Sequence, residues 1–141
     1  MAFNPSIACF VAIPQSPEFD PVRRAVSQAL EKSGVERLEA GDVSANLSPV
    51  TSDIIERADF VIAEVSTPNS NSFYVLGIAD SLRKPTLMMA QRQAPLQADL
   101  LSREILLYGP GEEPKLTEYL RYWVGNVIER QRERSAPARL A

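Results

Sequence analysis

The sequence predicts a doubly wound α/β domain, with a mainly parallel five-stranded sheet and helices on both faces. Three observations carry this. Short runs of apolar, often β-branched residues recur along the chain. The segments between them change to a helical period. Most of the connections are too short to hold anything but turns, so consecutive strands return through right-handed crossovers and lie parallel.

The first run, Ser6 to Ile13, ends at Pro14 and reads as a strand buried on both faces. Phe19, Val22, Val26, Ala29 and Leu30 then recur at helical spacing, with Asp20 as N-cap, Pro21 in the first turn and Gly34 as the stop. Val35 to Leu38 is a weak strand candidate. Leu47, Val50, Ile54 and Ile55 fit a second helix capped by Ser48, with Pro49 at its first position. The clearest strand is Phe60 to Val65, nearly continuous apolar sequence broken by Glu64 close to its carboxyl end. A polar loop, Ser66 to Asn71, leads into a helix over Ser72 to Leu82. Thr86 to Met89 and Ile105 to Tyr108 are the last two strands, and Pro95 to Ser102 between them is a candidate short helix. Lys115 to about Arg134 is a final amphipathic helix, with Leu116, Tyr119, Leu120, Trp123 and Val127 as its apolar stripe.

At 141 residues the chain is the size of one domain, expected over residues 1–134, with 135–141 as a flexible tail. Its composition, 45% hydrophobic, supplies a core for a domain of this length. The 11 prolines and 6 glycines are scattered, so they punctuate elements and form no low-complexity tract.

Composition also excludes chemistries. There is no histidine, which removes Ser-His-Asp and Cys-His nucleophilic machinery and His-ligated zinc. The single cysteine, Cys9, lies within the first apolar run and reads as a small core residue. A net charge of -3 has the wrong sign for bulk nucleic-acid binding. From Arg121 onward five arginines face two glutamates, a skew that the macrodipole of the last helix explains without a partner. The start lacks a basic, long apolar leader and no run is long enough to span a bilayer, so a cytoplasmic protein without membrane partners is expected. No cofactor or metal is called for.

In doubly wound sheets, ligands sit outside the carboxyl ends of the strands at a topological switch point. That rule directs attention to the residues after Ile13, Leu38, Val65 and Met89. The strongest local signal is there. Ala58-Asp59-Phe60-Val61-Ile62-Ala63-Glu64-Val65-Ser66-Thr67 runs through Asn69, Asn71 and Tyr74-Val75-Leu76-Gly77-Ile78-Ala79 to Arg83-Lys84-Pro85. It resembles the nucleoside 2-deoxyribosyltransferase-like superfamily, in particular its TIR-like nucleotide-binding proteins, whose pattern reads A-D-x-V-I-A-D-[LV]-[ST]-x-x-N-x-N-V-x-Y-E-L-G-x-A before a G-K-P turn. Phe10-Val11-Ala12-Ile13-Pro14 is similar to the family's first strand, Arg37 to an arginine placed before acidic residues, and Pro95 to Leu100 with Arg103 and Tyr108 to a late P-x-D-L…R…Y region. The likeness covers most of residues 7–124 and implies a flavodoxin- or Rossmann-like fold, a small nucleoside or nucleotide as partner, and a homo-oligomer.

Two positions depart from the pattern. Where the family carries the glutamate that attacks or supports the anomeric carbon, this chain has Val75, which has no acid or nucleophile to offer. Glu64 stands where the family usually has aspartate. One methylene longer, it either reaches a ribose hydroxyl and partly takes over the missing acid, or is held by backbone N–H groups at the following helix start. The resemblance therefore implies a ligand site of Ile13, Pro14, Arg37, Asn69, Asn71, Tyr74 and Val75, with Glu64 as the candidate catalytic group. Local alternatives stand beside this. Asn69 and Asn71 make the turn and cap the helix. Tyr74 stacks on a base or packs. Arg37 meets a phosphate or pairs with a neighbouring carboxylate. The functional expectation is nucleoside or nucleotide binding with weak or absent glycosyl transfer; an active N-glycosidase or deoxyribosyltransferase and a TIR-like interaction module are the alternatives.

Overall fold

The computed structural model describes residues 6–39, 49–67, 70–95 and 104–135. The strands are β1 (Ala8–Ala12), β2 (Glu36–Leu38), β3 (Phe60–Glu64), β4 (Thr86–Gln91) and β5 (Ile105–Tyr108). The helices are α1 (Asp20–Lys32), α2 (Pro49–Arg57), α3 (Ser70–Ser81) and α4 (Glu113–Ser135), and a single turn of 3-10 helix over Pro17–Phe19 leads into α1. All five strands are parallel in the order β2-β1-β3-β4-β5. This is the expected doubly wound α/β sheet of flavodoxin-like type, and its order reverses between β1 and β3.

The period of 2 along each strand decides which helices it meets. Cys9, Val11, Phe60, Ile62, Leu87 and Met89 face α1 and α4, joining Phe19, Val26, Leu30, Leu120 and Val124 in the largest core cluster. Phe10 and Val61 face the other way and pack with Ile55, Ala58, Val75 and Ala79 of the α2 and α3 region. Ala63, Met88 and Ala90 meet Leu76 in a smaller cluster on that side. Each fully buried leucine or phenylalanine contributes about 1.5–3 kcal/mol to the fold.

Several boundaries differ from the sequence expectation for local reasons. Asp20 is the first residue of α1 rather than its cap, because the preceding 3-10 turn already accepts the entering chain. Gly34 ends α1 as expected, with φ of 69°, a conformation that costs a residue with a Cβ. α3 begins at Ser70, since serine and asparagine serve in a first helical turn as readily as in a loop. α4 runs through Ser135, and its buried stripe is Leu116, Leu120, Val124 and Val127. Tyr119, expected on that stripe, is 39% exposed. Trp123 lies at the margin of the core with its ring edge-to-face against Phe60, centroids 5.5 Å apart. The candidate helix after Pro95 and residues 136–141 of the expected tail lie outside the described residues. Among those described, no helix is long and apolar enough to cross a membrane.

Candidate functional site

Parallel strands bring all their carboxyl ends to one edge of the sheet, where α1, α3 and α4 begin. Phe60, Ile62 and Glu64 share one face of β3, so the period that buries two apolar side chains under α1 and α4 also buries the carboxylate. Glu64 is 0% exposed. A buried charge needs partners, and two are present. The Ser66 backbone N–H donates to Glu64 Oε1 at 2.5 Å, and the Tyr108 hydroxyl donates to Glu64 Oε2. The Ser66 hydroxyl in turn accepts from the Gln91 backbone N–H at 2.7 Å. This polar network ties together the carboxyl ends of β3, β4 and β5.

Burial pushes the Glu64 carboxyl above its ordinary range, and the bonds from Tyr108 and Ser66 pull it partly back. The negative charge of Glu18, in the loop after β1, adds to the upward push. The Tyr108 phenol is held well above its usual range by burial and by its bond to Glu64. The pair therefore shares its proton chemistry and is best treated as a unit.

The structure brings together only some of the residues predicted for the site. Ile13 and Pro14 follow β1 directly, beside the end of β3; Ile13 packs on the α1 and α4 cluster, and the Pro14 carbonyl accepts from Arg23. Arg37 does not join them. Its guanidinium donates to the Ser27 hydroxyl and to Glu39, which ties β2 to α1 and realises the ion-pair alternative. Val75, expected to line the site, is instead a core residue at 5% exposure. The α3 face that carries it also carries Ala79, four residues on, and both pack with Phe10, Ile55 and Val61. It therefore lies on the opposite face of the sheet from Glu64. Tyr74 is 36% exposed on α3. The backbone of Asn71 is in the first turn of α3, whereas its side chain and the whole of Asn69 lie outside the described residues.

A cleft of about 350 Å3 opens at the same edge beside β4 and β5, with Tyr108, Gln91, Arg92, Glu18, Pro21 and Glu113 among its walls. Tyr108 belongs both to this wall and to the Glu64 network. In the sequence, the strand-end rule points to the end of β4, and Tyr108 stands out only through the family likeness. The signal for both was present: Gln91 and Tyr108 are the polar residues that end two apolar runs. Arg92 is bound to Glu112 at 2.6 Å, and that carboxylate also accepts from the Gly109 backbone N–H at 3.0 Å. These bonds hold the Glu112 carboxyl below its usual range.

No family model matches the sequence, and no curated protein matches it. Solved structures do. A CMP N-glycosidase, BcmB, from Clostridium botulinum superposes with a TM-score of 0.56 at 18% identity, covering 83% of this chain and 98% of the other. A diflavin flavoprotein A3 from Nostoc sp. gives 0.58 at 15% identity, over 92% and 99%. A conserved protein from Enterococcus faecalis gives 0.54 at 13% identity, over 89% and 99%. At such identities the likeness establishes the flavodoxin-like fold, and function has to come from the site.

Proposed function

We propose that the protein binds a nucleoside or nucleotide at the carboxyl edge of its sheet and carries weak or absent glycosyl transfer, as a nucleoside 2-deoxyribosyltransferase-like binding protein. The observation that carries this reading is the Glu64–Tyr108 pair, a buried acid and phenol placed between the β3 strand end and an open cleft. A cleft of this size lies within the range of small-molecule sites, and its wall sets polar and charged groups beside the apolar faces of Pro21, Val22 and the Tyr108 ring. Transfer is weak or absent for two reasons. Position 75, where the resembled family holds its carboxylate, is a valine inside the core. Glu64 is enclosed, so the group a ligand meets is the Tyr108 phenol, with Glu64 behind it holding the ring in place. Retaining glycosyl chemistry needs a carboxylate in reach of the anomeric carbon.

The alternative is N-glycosidic bond cleavage with Glu64 as general acid. Two observations favour it. The C. botulinum structure, a CMP N-glycosidase by name, is covered almost end to end by this fold. A carboxyl group with a pKa raised by burial is also suited to protonate a departing base.

One experiment separates the readings. The protein is incubated with a panel of nucleosides, nucleoside monophosphates and NAD, thermal shift reporting binding and mass spectrometry reporting released base. Stabilisation without base is the expected result. Base release that disappears in Glu64→Gln transfers the case to the enzyme. No stabilisation by any compound overturns both.

A further inference from the structure

We infer that the cleft beside Tyr108 selects the uncharged nucleoside over its 5′-phosphate. The inference rests on the nucleoside or nucleotide reading above and narrows it.

Phosphate sites in doubly wound folds are made from helix N-termini and from cations with unspent charge. Around this cleft both are already used by the protein. α1 has Asp20 in its first turn and the preceding 3-10 turn has Glu18; α4 has Glu113 in its first turn. These carboxylates sit where a bound phosphate would draw on the helix ends. Two nearby cations are committed too. Arg23 donates to Asp20 at 2.5 Å and to the Pro14 carbonyl. Arg92, the cation in the cleft wall, is paired with Glu112.

What is left in the wall is negative. Glu18 and Glu113 both line the cleft, and neither has an ion-pair partner among the described residues. Glu18 is close enough to the floor for its charge to act on Glu64. A phosphate dianion entering here would face two carboxylates with no uncommitted cation among the described residues of the wall, a juxtaposition that rejects partners by like-charge repulsion. A nucleoside presents the complementary chemistry. Its sugar hydroxyls, joined in cytidine, adenosine and guanosine by an exocyclic amine, are donors for Glu18 and Glu113, and its ring is an apolar face for Pro21, Val22 and the Tyr108 ring.

The test is calorimetric titration of the intact protein with cytidine, uridine, adenosine and guanosine and with the four matching 5′-monophosphates, at low and at high salt. It is repeated on a Glu18→Gln/Glu113→Gln double variant whose folding is checked by circular dichroism. Both side chains reach solvent, so the variant keeps its core. The expected result is at least one nucleoside bound about tenfold or more tightly than its own monophosphate, with the gap narrowed by salt and by the double variant. Monophosphate bound as tightly as nucleoside, or a gap that the double variant leaves unchanged, overturns this inference and leaves the nucleotide-binding reading standing. Binding of neither class overturns that reading itself.

Discussion

The two faces of the sheet are built for different work. Toward α1 and α4 a single apolar cluster runs the length of the strands and ends, at the carboxyl edge, in the Glu64–Tyr108 pair. Toward α2 and α3 the core divides into two smaller clusters, and no carboxylate among the described residues is buried within them. Glu64 and Val75 belong to one continuous motif in the sequence, yet the sheet passes between them. The difference teaches that a motif read along the chain names residues that share an edge of the fold without sharing a pocket.

The comparison breaks most visibly at Val75. If that position is core, Val75→Glu buries an unpaired carboxylate among Phe10, Ile55 and Val61. The expected loss is about 3–5 kcal/mol, the cost of an uncompensated buried charge. Urea denaturation checks it. A midpoint close to the parent protein would show that position 75 opens onto the crevice and that the two faces share the site after all.

On the other face the matching test is Leu120→Ala. Leu120 is 0% exposed, between the sheet and α1, and its truncation should cost about 2–5 kcal/mol, the range set by how far the surroundings collapse. A loss below about 1 kcal/mol would mean that α4 is not the main cover of that face.

These two residues also show how far the sequence could be read. Four of the strands are visible because a run of β-branched and apolar residues has few other homes, β2 is faint because it is Glu36-Arg37-Leu38 at the sheet edge, and parallel order follows from the helices between the runs. The stripe of α4 is legible at Leu116, Leu120 and Val127, and only its margin is misplaced. Tyr and Trp have apolar bodies and polar tips, so Tyr119 and Trp123 suit a helix margin as well as a core, and Val124 was passed over. The period of β3 was enough to place Glu64 on the side of Phe60 and Ile62. Its partner was not legible, because Tyr108 lies 44 residues away and meets it only once β4 and β5 have taken their order in the sheet. Val75 was misplaced because a resemblance carries residue roles by position, whereas burial is decided by α3 packing on the sheet.

The polar end of the α1 and α4 face is sharpened by pH. Below the ordinary carboxylate range Glu64 is protonated in the folded and the unfolded chain alike, so it confers no pH dependence. As pH rises past that range the unfolded chain releases the proton while the folded protein, with its raised pKa, still holds it. The folded state then binds more protons, and stability falls with pH until the folded pKa is passed. Glu64→Gln removes this slope, so the variant should gain on the parent protein over the interval that begins at the ordinary carboxylate range, about pH 4, and ends where the folded protein releases the proton. Denaturation midpoints across that interval measure the effect. A difference that does not vary with pH would show that Glu64 ionises normally, as it would if solvent reached it through the cleft.

The smallest effect is expected at Arg37, and it bears on whether the site extends to β2. The guanidinium is engaged by Ser27 and Glu39, with side chains 28% and 45% exposed in the ion pair, so solvent screens much of the attraction. Exposed pairs of this kind contribute about 0–1 kcal/mol. Arg37→Met keeps an aliphatic stem and loses the charge together with the bonds to Ser27 and Glu39, and stability should change by less than about 1 kcal/mol. Nucleoside affinity should be unchanged, because the cleft lies beside β4 and β5, across β1 and β3 from β2. Calorimetry on the same panel of nucleosides and monophosphates decides it. A variant that keeps its denaturation midpoint and loses monophosphate binding would show that Arg37 releases Glu39 to hold a phosphate, and the ligand would then span the switch point between β1 and β3 and not the β4–β5 cleft alone.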